Sequence, residues 1–334
     1  VNMNFLDKKC TSPLYMACQN GHDEIVRILL EKGADVHLGE NSEYIPFYVA
    51  CQQGFDEIVR LMLDKGANIN SCKTDGASPL FVACLTGQQS TVKCLLEKGA
   101  DANICWENSV SPLYMASQNS NEDIVQLLLS YDAKVDLCDD SKKSPLFKAC
   151  SKGHYRIAHM LLENGADVNL CETSGGSSLF VACQEGHGIC VQLLISKGAD
   201  VNLCKNDKAG PLYVACQNGH TFIVHILLHN GANVNAFTEA KLNPLVASCV
   251  KGFDDIVEIL LKSGAEVNAP GALFGFTPLC LACSEGRIST VEILLRHGAD
   301  VNLRSDDGSS PLSLAIESRN ETLVNILKQN GAKV

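Results

Sequence analysis

Cysteine and histidine recur together in this chain, at a spacing that metal binding or nucleophilic chemistry could use. Zinc requires four nitrogen or sulfur ligands that converge on one point. A glycine lies between each cysteine and its histidine and is expected to end a helix, so the cysteine should point inward and the histidine outward. We therefore predict no metal at the four Cys-x-x-x-His pairs, which are Cys18/His22, Cys150/His154, Cys183/His187 and Cys216/His220.

The other residues that could carry chemistry are isolated from one another. Cys280 and Cys283 form a single Cys-x-x-Cys pair, and His225 and His229 have helical spacing but no carboxylate ligand nearby. The sequence contains no phosphate-binding loop, no nucleophile elbow and no metalloprotease motif. Nucleophilic catalysis needs a base and its orienting group in one pocket. We therefore predict no catalytic residue, no cofactor and no small-molecule substrate.

Thirteen of the 17 cysteines follow two regular series, which argues for structural thiols. Free cysteine often serves as a small buried hydrophobic residue, and copies about 10 Å apart exceed the ~7 Å Cα limit for a disulfide. Reduced thiols are typical of a reducing, intracellular setting, so we predict a cytoplasmic protein. One series follows an alanine (Cys18, Cys51, Cys84, Cys150, Cys183, Cys216, Cys249 and Cys283), and the other lies in connecting segments (Cys72, Cys105, Cys138, Cys171 and Cys204).

Charge and hydropathy narrow the classes of partner. The 334 residues carry a net charge of -11. This charge disfavours duplex nucleic acid, because phosphate neutralisation by Lys and Arg dominates its binding. No apolar run is long enough to span a membrane, so we predict no membrane insertion. The chain starts at Val1, and we expect it to be excised from a longer protein at the N-terminus.

A repeat of 33 residues, with one step of 34, organises the whole chain. A Ser or Thr hydroxyl before the repeated proline can accept a bond from the first turn, and proline at the first helical position gives up only an N–H without a partner. Each copy predicts two short helices, each ended by glycine, and an extended turn to the next copy. The first helices should start near residues 13, 46, 79, 112, 145, 178, 211, 244, 278 and 311.

The repeated motif resembles that of the ankyrin repeat family. The matching stretches are "SPLYMA" at 12–17, "SPLFVA" at 78–83, "GPLYVA" at 210–215 and "TPLCLA" at 277–282, with "GADVN" at 165–169, 198–202 and 298–302. The resemblance implies an all-α solenoid of helix-turn-helix repeats with projecting β-hairpin loops, in a single array over residues 1–334.

The same resemblance implies a non-enzymatic scaffold that binds a protein partner along a concave groove and at the hairpin tips. The alternative is that the array is the targeting or sensor segment of a larger multidomain protein, such as a ubiquitin-ligase adaptor, a channel or a signalling enzyme. Reading the full-length gene product would separate the two hypotheses.

The chain departs from the family pattern in the hairpin and in the first helix. The hairpin glycine is replaced by Glu43, Ser109, Lys142, Lys208 and Lys241, and we expect these turns to adopt another geometry. The histidine of the family motif is replaced by an aromatic column, which either packs between repeats or lines a groove for a partner. This column consists of Tyr15, Tyr48, Phe81, Tyr114, Phe147, Phe180 and Tyr213.

Family resemblance also points to asparagines that an asparaginyl hydroxylase can modify. Asn169, Asn202, Asn235 and Asn302 match that position. The structural interpretation is a bond from the side chain to nearby backbone within the turn, and we treat modification as incidental.

The predicted partner-binding residues directly follow the alanine–cysteine pair, which the resemblance places on the groove wall. They are long and polar, which suits a wet and specific interface. Trp106 and Lys148 are added because tryptophan and cationic side chains are typical anchors of interfaces. The remaining residues of the set are Gln19, Asn20, Gln52, Gln53, Gln118, Asn119, Lys152, Gln184, Glu185, Gln217 and Asn218.

A basic cluster in the fifth copy suggests the chemistry of the partner. Lys148 and Lys152 lie four residues apart and should share one helix face. We therefore predict that copies three to five bind an acidic segment with an apolar anchor. The alternative is a solvated cluster whose lysines pair with Asp139 and Asp140, with Trp106 packed on the neighbouring turn. The cluster consists of Lys142, Lys143, Lys148, Lys152 and Arg156.

The fourth copy is predicted to be the least stable interior one. Ser120 and Asp132 replace the glycines that end its two helices, where we expect positive φ, and Ser117 replaces the buried cysteine. A linear stack opens first where a repeat or an interface is weakest.

Overall fold

The structure is a computed structural model that describes residues 3–7, 11–39, 43–271 and 274–333. The predicted extension before Val1 therefore falls outside the described residues. Within them the chain forms twenty α-helices in ten consecutive pairs, one short 3₁₀ turn at Glu107–Ser109, and no sheet. The contacts divide the chain into an N-terminal unit, Val1–Asp167, and a C-terminal unit, Val168–Val334. We number the helix pairs as repeats one to ten.

The N-terminal unit contains repeats one to five. Its first helices are α1 (Pro13–Gln19), α3 (Pro46–Gln53), α5 (Pro79–Thr86), α7 (Pro112–Gln118) and α9 (Pro145–Lys152). Its second helices are α2 (Asp23–Glu31), α4 (Asp56–Asp64), α6 (Gln89–Glu97), α8 (Glu122–Ser130) and α10 (Tyr155–Glu163).

The C-terminal unit contains repeats six to ten. Its first helices are α11 (Ser178–Glu185), α13 (Pro211–Asn218), α15 (Pro244–Lys251), α17 (Pro278–Ser284) and α19 (Pro311–Glu317). Its second helices are α12 (Gly188–Ser196), α14 (Thr221–His229), α16 (Asp254–Lys262), α18 (Ile288–Arg296) and α20 (Glu321–Gln329).

The ends of the first helices follow from their cap residues. In α5 the Ser78 hydroxyl accepts a hydrogen bond from the backbone N–H of Phe81 at 3.1 Å, which satisfies one of the free donors of the first turn. Proline takes the first helical position, where its missing N–H costs nothing. Gly87 then ends the helix with φ of 76°, a conformation that glycine adopts without steric cost.

Stacking of like helices buries the apolar face of each repeat. Helix α3 packs against α1 and α5, and α4 packs against α2 and α6. The side chains of Ile58, Val59 and Met62 on α4 are completely buried. Burial of such a side chain stabilises the fold by about 1.5–3 kcal/mol. Each repeat therefore depends on its neighbours for its core.

A repeated asparagine couples the backbone of one repeat to that of the next. The Asn202 amide donates to the Gly231 carbonyl at 3.1 Å, and its oxygen accepts from the Asn233 N–H at 2.9 Å. We call this pair of bonds the asparagine joint. The sequence predicted a bond within the local turn, whereas the partners lie 29 and 31 residues further along the chain. The same two bonds are made by Asn103, Asn169, Asn235 and Asn302.

Position 136 carries an aspartate where the other joints have asparagine. One carboxylate oxygen of Asp136 accepts from the Asp167 N–H at 3.0 Å. The other oxygen is buried and has no hydrogen-bond partner in the described part of the chain. Burial raises the pKa of this carboxyl, the bond from the Asp167 backbone lowers it, and the charge of Asp167 raises it. This joint is therefore half made, because an ionised carboxylate has no proton to donate.

The hairpin turns at Lys142, Lys208 and Lys241 keep the geometry of the glycine turns, so our expectation of another geometry was wrong for them. The turn at Ser109 does differ, because Asn108 also has positive φ (57°) and residues 107–109 form a 3₁₀ turn. Ser109, Lys142, Lys208 and Lys241 have φ between 57° and 61°, in the left-handed region that glycine occupies at other turns. The turn bond explains this: the Lys208 N–H donates to the Lys205 carbonyl at 2.8 Å, as the Gly76 N–H does to Lys73 at 3.0 Å. The turn at Glu43 includes residues 40–42, which are not among the described ones, so the prediction for this turn lies outside the described residues.

Candidate functional site

Within each unit, the first helices and the turns that precede them form a surface that we call the hairpin face. The predicted polar residues occupy the last positions of these helices, or the C-cap in the case of Asn20 and Asn119. Most of them are exposed; Gln52 and Gln118 are half-buried. The predicted set therefore lies at equivalent places within each unit. The fully or largely exposed members are Gln19, Asn20, Gln53, Asn119, Lys152, Gln184, Glu185, Gln217 and Asn218.

Some of these amides already have partners within the fold. The Asn119 amide donates to the Leu85 carbonyl, and the Asn218 amide donates to the Gln184 carbonyl, both at 3.2 Å. Each bond reaches the preceding repeat. These two asparagines therefore connect neighbouring repeats in addition to facing solvent.

Four rings of the aromatic column are covered by the residue 25 positions later in the chain, just before the hairpin turn. We call that residue the cap. A covering side chain excludes water from the ring, and the capped rings are only 1–8% exposed. The four capped pairs are Tyr48 with Lys73 (ammonium to ring centroid 4.9 Å), Phe81 with Trp106 (ring centroids 5.3 Å), Tyr114 with Asp139 (hydroxyl to carboxylate 3.0 Å) and Phe180 with Lys205 (ammonium to ring centroid 5.4 Å).

Trp106 serves as such a cap in repeat three. Its ring lies on Phe81, and its backbone N–H donates to the Val110 carbonyl at 2.9 Å across the turn. The indole N–H is buried, and no acceptor for it is present within the described ranges. The structure thus gives Trp106 a packing contact and leaves one donor unused, a situation that usually costs about 1–3 kcal/mol.

Lys148 lies on the hairpin face with its ammonium 5.7 Å from the centroid of the Tyr114 ring. Burial lowers the pKa of this lysine, the charges of Lys143 and Lys152 lower it further, and Asp139 opposes them. In the part of the chain that the structure covers, no carboxylate forms an ion pair with these three lysines. They therefore form a row of unpaired cations.

The acidic residues near this row bind other groups. Asp139 accepts from the Tyr114 hydroxyl, and Asp140 accepts from the Ser109 hydroxyl at 2.5 Å. Arg156, which the sequence assigned to the cluster, instead pairs with Glu122 at 3.4 Å. The cluster is therefore smaller than predicted, and its lysines lack the predicted carboxylate partners.

The ring of Tyr213 is half-buried and has no such cap among the described side chains. Its cap position holds the small residue Thr238, and the position equivalent to Lys148 holds Ala247. Two hollows of about 270 and 470 Å³ both reach Tyr213 and Thr238. Burial and then the negative charge of Asp207 raise the pKa of the Tyr213 hydroxyl. This site was not predicted from the sequence, although the spacing of 25 residues from aromatic to cap would have pointed to it.

The thiols and imidazoles of the Cys-x-x-x-His pairs have structural surroundings. The cysteines of the alanine series are completely buried, and burial raises the pKa of Cys18 and of Cys216 to about 12. Thiols of this kind do not form the thiolate that nucleophilic chemistry requires. Two of the imidazoles point to the preceding repeat: Nε2 of His154 lies 3.1 Å from the Gln118 carbonyl, and Nε2 of His220 lies 3.1 Å from the Gln184 carbonyl.

No group of three or more metal-ligating side chains converges within the described ranges. Over the same ranges, no helix is both long and apolar enough to cross a membrane.

The chain matches the family model for ankyrin repeats (3 copies) at residues 14–105, 48–139, 80–172, 179–271 and 245–334. It therefore belongs to the ankyrin repeat family, as the sequence predicted. Among solved structures, it is similar to the human ASB11 ankyrin repeat domain with a TM-score of 0.61 and 29% identity, over 67% of this chain and 99% of that one. No curated protein sequence matches it. Ankyrin repeats are in general protein–protein interaction modules, and the fold is typically non-catalytic.

Proposed function

We propose that this chain is a non-enzymatic scaffold that binds a partner protein on its hairpin face, and that repeats three to five take an acidic segment of that partner. The row of unpaired cations formed by Lys143, Lys148 and Lys152 carries the proposal. Three ammonium groups lie near one another on a protein of net charge -11, and none of them forms an ion pair with a carboxylate of the described residues. An acidic segment would relieve this repulsion on binding.

The neighbouring side chains suit an interface of this kind. The ring of Tyr114 is nearly buried beneath Lys148, whereas the half-buried Trp106, one repeat earlier, offers part of its apolar surface on the same hairpin face. Interfaces commonly combine aromatic anchors with charged groups in this manner. The buried, protonated thiols support a reducing, cytoplasmic setting as part of the same proposal.

Site-specific cross-linking in cells tests which face binds the partner. A photoreactive residue replaces Gln118 at the end of α7 in one variant and Gln126 on α8 in the other. Both positions are glutamines of repeat four, but only the first lies on the hairpin face. We expect one partner to be captured from position 118 and not from position 126. Capture of the same partner from position 126 alone would overturn the proposed face.

The affinity of the captured partner then tests the charge. Lys148→Glu with Lys152→Glu should weaken binding strongly, and the loss should shrink as salt rises. Lys251→Glu is the matched control, because Lys251 ends α15 as Lys152 ends α9. Equal losses in the two variants, or a loss that does not depend on salt, would contradict an acidic segment.

A further inference from the structure

Among Tyr48, Phe81, Tyr114, Phe180 and Tyr213, only Tyr213 lacks a capping side chain in the described part of the chain. Phe147 is also half-buried, but its cap position holds Glu172, whereas that of Tyr213 holds the short Thr238 and borders two hollows. Thr238 stands where repeats two and six have lysine and repeat three has tryptophan, and Ala247 is smaller than the valine, leucine, methionine or lysine of the equivalent positions. The backbone of the turn is nevertheless the same. The Thr238 N–H donates to the Leu242 carbonyl at 2.8 Å, as the Lys205 N–H does to Ala209 at 3.0 Å. The space above the ring is thus open because the side chains are short, and not because the turn has moved.

The protein itself indicates what such a ring accepts. Ammonium groups lie 4.9 Å from the ring of Tyr48, 5.7 Å from that of Tyr114 and 5.4 Å from that of Phe180. A cation is attracted to an aromatic face by the quadrupole of the ring within about 6 Å of its centroid. Three of the five rings therefore have a lysine at this distance, and Tyr213 has an empty place for one.

Charge around Tyr213 favours a cation in that place. Asp207 and Glu239 line the larger hollow, and the Glu239 N–H donates to the Asp207 carbonyl at 2.8 Å, which holds the two hairpins together. Neither carboxylate forms an ion pair with a described residue. The one lysine of this hollow, Lys205, is directed at Phe180. The floor of Phe180, Val214 and Leu242 suits the aliphatic part of a long side chain.

We propose that the open face of Tyr213, between Thr238 and the carboxylates of Asp207 and Glu239, is a subsite for an arginine or lysine side chain of an extended partner segment. The guanidinium or ammonium lies over the ring, as Lys73 lies over Tyr48, and its stem covers the apolar floor. This subsite rests on the proposed partner-binding function. It would bind a positively charged side chain in the C-terminal unit, whereas the row of unpaired cations in the N-terminal unit would bind an acidic one.

A short peptide tests the subsite without the natural partner. The probe is acetyl-glycyl-arginyl-glycine amide, and its match is the same peptide with citrulline, which has the shape of arginine but no charge. Binding is followed by NMR of ¹³C-labelled tyrosine rings, with the Tyr213 signal assigned from Tyr213→Phe. We expect the arginine peptide to shift this signal in a saturable way at millimolar concentration. Equal shifts from the citrulline peptide would overturn the proposal.

Thr238→Lys supplies the missing cap from within the chain. Lysine already occupies this turn position in repeats two and six, so the variant is compatible with the fold. We expect this variant to bind the arginine peptide at least about tenfold more weakly, because the ammonium of the new lysine occupies the position over the Tyr213 ring. Thr238→Ser keeps the hydroxyl that accepts from the Leu242 N–H, and it should bind like the original chain. Unchanged binding by Thr238→Lys would refute the site.

Glu239→Gln tests how much the carboxylate charge of Glu239 contributes to binding, apart from the contribution of the Tyr213 ring. It should weaken the arginine peptide a few-fold at low salt and have no effect on the citrulline peptide. Since the peptide is measured on the purified protein, failure here removes the subsite and leaves the capture of a partner at position 118 standing. Failure of that capture, with binding of the arginine peptide intact, would instead remove the proposed partner-binding face.

Discussion

In repeat four the ring of Tyr114 is covered by Asp139 and approached by Lys148, whereas in repeat seven the ring of Tyr213 lies open. The residues that hold each repeat in the stack, which we call the framework residues, follow the family pattern in repeat seven and depart from it in repeat four. Repeat seven has glycine at both helix ends, the buried Cys216 and a complete joint at Asn235. Repeat four instead has the framework substitutions Ser117, Ser120, Asp132 and Asp136.

This comparison separates two sets of positions in one repeat. The helix-end glycines, the buried thiol and the asparagine joint determine how firmly a repeat is held in the stack. The aromatic residue and its cap determine what the hairpin face offers to a partner. Because the two sets do not share residues, either can change while the other stays intact.

The largest difference in unfolding free energy between repeats four and seven should come from truncation of their aromatic rings. Tyr114→Ala removes a ring that is 5% exposed together with its bond to Asp139, and we expect a loss of about 3–5 kcal/mol. Tyr213→Ala removes a partly exposed ring without a cap and should cost roughly 1–2 kcal/mol. Urea unfolding followed by circular dichroism measures both. Equal losses would mean that the open ring is as well packed as the covered one.

Ser117 should be the most costly framework substitution of repeat four. Its side chain is completely buried, and its hydroxyl has no partner among the described residues. Ser117→Cys should therefore stabilise the protein by about 1–3 kcal/mol, because it removes an unsatisfied hydroxyl. The reverse change, Cys216→Ser in repeat seven, should destabilise the protein by less than Ser117→Cys stabilises it, since the Ser248 hydroxyl lies within reach of position 216. A loss of stability in Ser117→Cys would show that the site cannot hold sulfur.

Asp136→Asn should complete the half-made joint and stabilise the protein by about 1–2 kcal/mol at neutral pH. The gain should depend on pH. The pKa of Asp136 is raised in the folded state, so folding favours its protonated form, and the original chain becomes more stable as pH falls through that pKa. The difference between variant and original should accordingly narrow in acid. Unfolding midpoints measured from neutral to acidic pH check this, with Asn103→Asp as the opposite change; a gap that widens in acid would contradict it.

The helix-end residue Asp132 should have the smallest effect. Its φ is 59°, as expected from the sequence, and glycine removes that strain, so Asp132→Gly should add about 1 kcal/mol. Gly231→Asp is the converse in repeat seven, where a Cβ would have no other atom within 4 Å and only the backbone cost remains. Hydrogen exchange should show residues 112–136 opening more readily than 211–235. Slower exchange in 112–136 would contradict the predicted weakness of repeat four.

The helices could be predicted because their signals are local. Proline, the preceding hydroxyl and the following glycine lie within a few residues of the helix ends that they determine, as at Ser78, Pro79 and Gly87. The joint was misinterpreted because its partners lie in the next repeat, where a local turn motif gives no indication of them. The turns at Lys142 and Lys208 were misjudged because the bond that stabilises positive φ involves only backbone atoms, which residue type does not reveal.

The site was predictable only in part for the same reason. Exposure of polar residues such as Gln53 and Lys152 follows from their helix positions. The loss of Arg156 from the basic cluster depends on Glu122 in the preceding repeat, and the opening at Tyr213 depends on Thr238 in the following turn. The ion pair of Arg156 is set by stacking between copies and requires the spatial arrangement. The opening at Tyr213 follows the spacing of 25 residues between ring and cap, which has a meaning only once the structure shows that the two residues touch.

The asparagine joint also affects how such a chain can grow. Its acceptor and donor in the next repeat are a backbone carbonyl and a backbone N–H, which every repeat presents whatever its side chains. A duplicated or transplanted copy can therefore form the joint with any preceding copy that carries the asparagine, without a matching substitution of its own. Arrays of this kind can be lengthened, shortened or recombined by exchange of whole gene segments, and each new copy is then free to vary its hairpin face.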